Sequence, residues 1–198
     1  MAYNYKLTAS ESIMELDPLS DNSLMLKVRD GDLQKLSLLF ERYKNMLFAY
    51  FIRLSKDRES SEDLVQMVFI KVIKYKHSYR GDGGFKPWIF HIARNLQADQ
   101  WRKDKRRGYK VSTDVLDQTF REEPSTLTKE ENLTKLEVAL DRLPKETKEL
   151  LVLAKIKGMR YKEISQLMEW TESNVKIKVF RAIRLLKEQY ELIERTQQ

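Results

Sequence analysis

The sequence predicts an all-α protein of two helical domains joined by a flexible acidic linker. Apolar residues recur every three or four positions over most of the 198-residue chain, and no stretch shows the sustained alternation of a half-buried strand. Between about residues 108 and 130 this periodicity disappears, and Pro124 stands among Ser, Thr and acidic residues. The length of the chain is compatible with one domain or two, and this interruption favours two.

The first domain is expected over residues 21–107, after an N-terminal tail at residues 1–20. Its first clear helix follows Gly31 and Asp32, with Asp32 as the predicted N-cap, because apolar residues then recur at helical spacing. The apolar positions of this core helix are Leu36, Leu39, Phe40, Tyr43, Leu47, Tyr50, Phe51 and Leu54.

Two more helices are predicted in the first domain. Ser60 and Asp63 have the spacing of a capping box, which predicts a helix from there to about residue 75. Three glycines between positions 81 and 84 then break the chain. Pro87 suits the first position of a third helix, which is expected to run from Trp88 to beyond Trp101.

The second domain is expected over residues 131–198, after the linker at residues 108–130. Pro144 begins a helix that ends near Gly158, residues 161–168 form a short amphipathic helix, and Thr171 caps a long final helix. This order predicts a helix-turn-helix with its turn at residues 169–170. Before Pro144, Leu133, Leu136, Leu140 and Leu143 form one apolar stripe at helical spacing. In the final helix the inward positions are expected to be Val175, Val179, Ala182, Ile183 and Leu186.

Charge and composition narrow the classes of function. Lys and Arg outnumber Asp and Glu by 37 to 30, and a pI near 9.4 suits a polyanionic partner if the positive charge is clustered. The chain has no cysteine and two histidines, which removes disulfides and thiolate zinc sites, fits a reducing compartment and leaves little basis for a metal site. The first twenty residues carry acids and lack an apolar run, so we expect no signal peptide or membrane anchor and a cytoplasmic protein.

Two unlike helical signatures follow one another in the first domain. Residues 62–70 read Glu-Asp-Leu-Val-Gln-Met-Val-Phe-Ile, and residues 85–96 read Phe-Lys-Pro-Trp-Ile-Phe-His-Ile-Ala-Arg-Asn-Leu, with a basic run at 102–107. At this distance from each other they resemble the conserved second region of a bacterial sigma factor, and the helix-turn-helix over residues 161–186 resembles the fourth region. The chain is similar to the short, extracytoplasmic-function class of sigma-70 family factors over residues 21–106 and 131–190.

This resemblance implies an initiation factor without chemistry of its own. Its expected partners are core RNA polymerase, promoter DNA as duplex and as melted strand, and an anti-sigma factor; no cofactor, metal or membrane insertion is expected. In the family the residue 62–70 helix docks on the clamp coiled coil of the largest polymerase subunit. The candidate polymerase contacts are Asp63, Gln66, Met67 and Ile70, which share one helix face. The alternative is a helix buried on all sides, with Glu62 and Asp63 only capping it.

The helix that begins at Trp88 opens the minus-ten promoter element in the resembled family. Binding of a single strand needs a positive groove, aromatic surfaces and room for extruded bases. The candidate contacts are Lys86, Phe90, His91, Arg94, Asn95, Asp99, Trp101, Arg102 and Lys103, and the resemblance implies that Asn95 and Asp99 read an extruded base. A core aromatic cluster beside a solvated charge run is the alternative, and it is the interpretation we favour for Trp88.

The N-terminal part of the final helix is expected to read the minus-thirty-five element in the major groove. The candidate contacts are Thr171, Glu172, Ser173, Asn174, Lys176, Ile177, Lys178, Phe180, Arg181 and Arg184. Many family members carry Gly-Thr and then Ser near this point, whereas this chain has Ser173, Asn174 and Ile177. Because of this difference, the resemblance does not specify which promoter sequence the helix reads.

The linker and two other classes of function complete the sequence-based expectations. Six acidic against two basic residues between positions 112 and 131 suit a solvated hinge or, as in the resembled family, a segment that occupies the polymerase's RNA exit path. A stand-alone regulator that binds an operator as a dimer would explain residues 161–186 but neither signature of the first domain. An enzyme is least supported, because the chain lacks a cysteine nucleophile, a metal cluster and a phosphate-binding glycine pattern.

Overall fold

The computed structural model describes residues 20–107, 127–155 and 159–196, and within these ranges all regular structure is helical, which confirms the all-α prediction. Residues 1–19, Gly158 and most of the predicted linker lie outside the described residues. The N-terminal half contains α1 (Asp21–Arg29), α2 (Lys35–Ser55), α3 (Arg58–Tyr75), a 3₁₀ turn (Lys76–Ser78) and α4 (Phe85–Arg107). The C-terminal half contains α5 (Leu127–Asp141), α6 (Lys145–Lys155), α7 (Tyr161–Met168) and α8 (Glu172–Thr196).

The start of α2 differs from the sequence prediction. Asp32 does not cap α2, because a short helix that was not predicted, α1, precedes it and Asp32 lies in the turn between the two. The Asp32 amide donates to the Lys27 carbonyl at 2.9 Å, and the N-cap of α2 is Gln34, without a side-chain hydrogen bond. Local turn bonds to α1 therefore outweigh the capping preference of the aspartate.

The capping prediction for α3 is also wrong, whereas that for α8 is confirmed. The Asp57 carboxylate accepts a hydrogen bond from the Ser60 amide at 3.0 Å, so α3 begins at Arg58 and not within the Ser60-to-Asp63 box. Thr171 Oγ1 accepts from the Asn174 amide at 3.2 Å at the start of α8. Both caps satisfy amides that have no partner inside the helix.

Helix α2 forms the centre of the N-terminal half and packs against α1, α3 and α4. Its apolar face buries Tyr43, Leu47 and Tyr50, and Tyr43 meets the Phe85 ring edge-on at 5.1 Å between ring centres. Helix α4 buries Ile89, Ile92 and Ala93, and Trp88 packs against the same core. Trp88 is therefore a partly buried residue at the edge of this core, beside the rings of Tyr79 and Phe85.

The two halves pack against each other. Helix α6 contacts α2 and helix α7 contacts α4, and one apolar core includes Tyr50 and Phe90 as well as Leu153 and Ile164. Each large side chain buried in this way contributes roughly 1.5–3 kcal/mol. Helices α5 and α8 pair beside this core. There the inward prediction for Ile183 is wrong, because its side chain is exposed, and Leu133 and Leu136 of the predicted apolar stripe are exposed as well.

Candidate nucleic-acid interface

The outward face of α3 carries all four predicted polymerase contacts. Asp63 and Gln66 are exposed, and Met67 and Ile70 are 41% and 55% exposed. Ile73, which the sequence analysis missed, extends the apolar stripe by one turn. Helix α3 is thus not buried on all sides, and adjacent exposed apolar side chains are typical of a surface that a partner protein covers.

A groove separates this face from α4. Asp63, Met67 and Lys71 form one wall, and the opposite wall carries Asp99, Arg102, Lys103 and Arg106. The Arg102 guanidinium donates to the Asp99 carboxylate, and this hydrogen bond lowers the pKa of Asp99 below its ordinary value. Asp99 is therefore an ionised acceptor at neutral pH, beside cationic groups that attract phosphate.

The predicted minus-ten contacts of α4 fall on two sides of the helix. The exposed members are His91, Asn95, Asp99, Arg102 and Lys103. Helical spacing of three and four residues aligns Asn95, Asp99 and Arg102, and Asp99 and Arg102 also line the groove. This side of α4 offers an amide, a carboxylate and positive charge to the solvent, which suits a base edge with its phosphate.

Of the other predicted contacts of α4, Phe90 lies in the core, and Trp101 and Lys86 meet the C-terminal half. Phe90 is fully buried and packs edge-on against Tyr50 at 5.6 Å between ring centres. Lys145 of α6 lies over the Trp101 ring at 4.9 Å from its centre. Lys86 pairs with Glu163 of α7 at 3.8 Å. In this arrangement, Phe90 is a core residue and Trp101 is partly covered.

Glu149 of α6 connects the two halves. Its Oε1 accepts a hydrogen bond from the Tyr50 hydroxyl at 2.8 Å and from Arg94 Nε at 3.1 Å. The carboxylate is buried, whereas the Arg94 side chain is 37% exposed. Burial raises the pKa of Tyr50 well above its usual value, and the negative charge of Glu149 adds to this effect. Tyr50 therefore remains a neutral donor to a buried carboxylate.

Glu149 was not among the predicted site residues, because the sequence around it gives only a weak signal of burial. It stands at the edge of the apolar run Leu150 to Leu153, where a charged residue usually marks the solvent face of a helix. Its partner Tyr50 lies 99 positions away in the chain. Only the docking of α6 against α2 and α4 reveals that this carboxylate is buried.

Helix α8 presents its predicted contacts on a solvent-facing surface. Ser173, Asn174, Lys176 and Arg181 are exposed, and Thr171 serves as the cap. The two apolar members are unusually open, with Ile177 50% and Phe180 70% exposed. Two large apolar side chains in the middle of a basic helix face are thus open to solvent over half or more of their surface.

Some cations of α8 already have partners within the C-terminal half. Lys178 lies over the Trp170 ring at 4.2 Å from its centre and pairs with Glu146 at 3.5 Å. Arg184 pairs with Glu188 at 3.5 Å, an exposed pair that water weakens. Lys178 is thus tied to the turn and α6, while Arg184 is held only loosely. In the described ranges no helix has the length and apolar run to cross a membrane, and no His and acidic side chains cluster as metal ligands.

Both halves match family models and curated relatives. Sigma-70 region 2 matches residues 39–107, and Sigma-70, region 4 matches residues 133–186. The ECF RNA polymerase sigma factor SigM of Bacillus subtilis (strain 168) is 30% identical over 153 residues, which is 77% of this chain and 93% of SigM. The ECF RNA polymerase sigma-E factor of Escherichia coli (strain K12) is 26% identical over 176 residues, which is 84% of this chain and 92% of that factor.

Solved structures show a similar arrangement of helices. CnrH, solved in complex with the cytosolic domain of CnrY, matches with a TM-score of 0.67 at 20% identity over 87% of this chain and 97% of CnrH. The sigma factor RpoE from Bartonella quintana, solved with the anti-sigma factor NepR, matches with a TM-score of 0.63 at 25% identity over 80% of this chain and 95% of RpoE.

The fold and the paired matches define a transcription initiation factor. The chain belongs to the sigma-70 family, in its extracytoplasmic-function class, and directs RNA polymerase to promoters. Sigma factors are initiation factors and not enzymes. A stand-alone operator-binding regulator is not favoured, because it would account for the C-terminal match alone.

Proposed function

We propose that the three surfaces described above divide the work of promoter recognition. The outward face of α3 binds core polymerase, the exposed side of α4 holds the melted minus-ten strand, and the exposed face of α8 reads the minus-thirty-five duplex. The groove between α3 and α4 carries the proposal: apolar Met67 lines one wall and basic Lys103 the other. A protein partner and a nucleic-acid strand can therefore bind side by side.

On α4, Asn95 and Asp99 are the proposed readers of an extruded base. An amide offers donors and an acceptor, and an ionised carboxylate accepts from amino groups of a base. Arg102 and Lys103 neutralise the neighbouring phosphates. Extrusion of a base costs a few kcal/mol, and these contacts form only once the base has left the stack. Binding energy at this side of α4 thus favours the melted promoter over the duplex.

On α8, the basic and the apolar side chains have different proposed tasks. Arg181 has the guanidinium fork that bonds the edge of guanine in the major groove, while Arg184 and Lys176 suit phosphates. Ile177 and Phe180 are apolar and exposed, and the apolar group that the major groove offers is the C5-methyl of thymine. The face therefore suits a sequence that contains both guanine and thymine.

An anti-sigma factor is the proposed regulatory partner, because RpoE was solved with the anti-sigma factor NepR and CnrH with a domain of CnrY. We also infer that the chain works by binding alone, in the cytoplasm where the polymerase acts. A candidate anti-sigma factor should compete with core polymerase for the full chain. Simultaneous binding of both proteins would contradict this role.

Two variants test this division of surfaces, because one should weaken polymerase binding and the other DNA binding. Ile70→Ala should weaken binding of the full chain to core polymerase about tenfold, as expected for an interface contact worth more than 1 kcal/mol. Lys103→Ala should leave polymerase binding unchanged, weaken holoenzyme binding to a pre-melted promoter and reduce the salt slope by about 0.7. Leu192→Ala, at a similarly exposed apolar position near the end of α8, is the control. Equal core affinity for Ile70→Ala and Leu192→Ala would contradict the docking assignment.

A further inference from the structure

One stripe of α4 faces the C-terminal half. Phe90, Arg94, Gln97 and Trp101 follow at spacings of four, three and four residues, which places them on one side of the helix. The C-terminal half engages two of them directly, through Glu149 on Arg94 and Lys145 over Trp101. Gln97 lies between these two on the same side.

Gln97 is poorly suited to the arrangement in which it is buried. The residue is 1% exposed, yet neither Nε2 nor Oε1 has a hydrogen-bond partner among the described residues. A primary amide has two donors and an acceptor with two lone pairs, and leaving them unpaired in a protein interior is unfavourable. An apolar side chain of the same size would pack here without that penalty. The packed arrangement therefore does not explain why this position is a glutamine.

The partners of Arg94 and Trp101 resemble the parts of a nucleic acid. A carboxylate on a guanidinium occupies the place that a phosphate would take, because arginine binds both in the same geometry. Lys145 covers the face of an indole ring on which a base would stack. Gln97, set between a phosphate-type and a stacking-type position, could donate to and accept from the edge of a base.

From these contacts we infer that α6 masks a second part of the promoter-strand surface of α4, and that Gln97 is a promoter contact that becomes available when the two halves separate. The inference rests on the proposed function of α4 and adds its regulation. In the packed state, Glu149 competes with the promoter for Arg94. Separation of the halves exposes the stripe formed by Arg94, Gln97 and Trp101, together with the already exposed Asn95.

The packed state is measurable because the chain contains no cysteine. Cysteines introduced at exposed Asn45 of α2 and Glu188 of α8 allow two dyes to report separation by energy transfer in the full chain. Glu149→Gln keeps an acceptor for the Tyr50 hydroxyl but removes the charge that binds Arg94. We expect the ratio of packed to separated chain to fall about tenfold. Affinity of the free chain for a DNA duplex with a pre-melted bubble should rise by the same factor while the packed state dominates.

Gln97→Leu gives the complementary test. It should raise the ratio of packed to separated chain about tenfold, since it removes the unpaired amide. In the holoenzyme, where the dyes must report separated halves, it should weaken binding to the same bubble DNA about tenfold. Gln100→Leu on α4 is the matched control, since Gln100 has a partner in Asp104 at 3.0 Å and should leave the packed ratio unchanged.

Two results would overturn the inference. The proposed masking is wrong if Glu149→Gln separates the two halves but leaves the affinity of the free chain for the bubble DNA unchanged. The proposed promoter contact of Gln97 is wrong if holoenzyme with the Gln97→Leu chain binds the bubble DNA as tightly as holoenzyme with the wild-type chain. Asn95→Ala distinguishes a failure of the underlying proposal: if it too leaves holoenzyme binding to bubble DNA unchanged, the role of α4 in strand binding is wrong, and not merely the role of Gln97.

Discussion

The hydroxyl of Tyr50 provides a sharp probe of how the two halves are held together. Tyr50→Phe removes one oxygen and leaves the ring packed against Phe90. The lost hydrogen bond to Glu149 spans 2.8 Å between buried groups, and a hydrogen bond to a charged group contributes about 1.5–3 kcal/mol. Because Glu149 keeps its second donor, Arg94, we expect a loss near the lower end, about 1.5–2 kcal/mol of unfolding free energy.

Urea unfolding followed by circular dichroism measures this loss, with an unchanged denaturant slope as the sign that only stability has changed. Tyr43→Phe is the matched control, because the Tyr43 hydroxyl donates to Asp21 at 2.5 Å within the N-terminal half. Both variants should lower the unfolding free energy, but only Tyr50→Phe should increase the separation of dyes placed on the two halves.

A double-mutant cycle of Tyr50→Phe with Glu149→Ala, which removes the acceptor altogether, tests this assignment. Residues that share a hydrogen bond have non-additive effects, and we expect a coupling of about 1 kcal/mol between Tyr50 and Glu149. Additive effects, or a Tyr50→Phe loss below about 0.5 kcal/mol, would refute the assignment of this contact as a stabilising bond between the halves.

Four further predictions concern the proposed surfaces and the buried tyrosines. Asp63→Ala should make the chain a weaker competitor for core polymerase, with helicity by circular dichroism unchanged. A variant that competes as well as the wild-type chain would exclude Asp63 as a polymerase contact. Arg181→Ala should cost about 1–3 kcal/mol of DNA binding with relaxed promoter choice. Lys187 is exposed further along α8 and suits a phosphate contact, so Lys187→Ala should weaken binding to all sequences alike and lower the salt slope by about one unit. Equal, non-selective losses for both variants would place Arg181 on the DNA backbone. Replacing thymine by uracil in a selected minus-thirty-five duplex should weaken wild-type binding but not that of Phe180→Ala, and equal loss in both would remove Phe180 from methyl contact. Burial raises the pKa of the Tyr43 hydroxyl, and the hydrogen bond to Asp21 raises it further. The stability that Tyr43 contributes is therefore fully present below about pH 10 and is lost as the pH rises toward the raised folded-state pKa. Ionisation of every tyrosine near pH 10 in an absorbance titration of the folded chain would contradict this.

Sequence periodicity was sufficient for features that depend on neighbouring residues. The span of α7, the Thr171 cap and the exposed face of α3 follow from patterns within one or two turns, and the structure agrees. The cap of α3 was displaced by three residues, since both Asp57 and Ser60 are good capping residues and local sequence does not decide between them.

Features that depend on packing between distant segments could not be predicted. Phe90 and Trp101 were expected at a DNA surface because their aromatic character suits base stacking. The same character suits a core: Phe90 packs against Tyr50, and Lys145 of the C-terminal half lies over Trp101. Glu149 was missed because its contacts with Tyr50 and Arg94 form only after α6 docks on the N-terminal half, and Gln97 was missed because glutamine is ordinarily an exposed residue. No helix taken alone contains that information.

Promoter opening by the holoenzyme is the most direct test of the central claim, that the exposed side of α4 holds a melted strand. Core polymerase with the wild-type chain should make thymines of the minus-ten element reactive to permanganate on a promoter selected with that holoenzyme. Asn95→Ala should lower this reactivity more than it lowers closed-complex binding in a gel shift, and a mismatched, pre-melted element should restore much of the opening, because the cost of unpairing is then already met. Normal permanganate reactivity and unchanged minus-ten preference with Asn95→Ala would contradict the account.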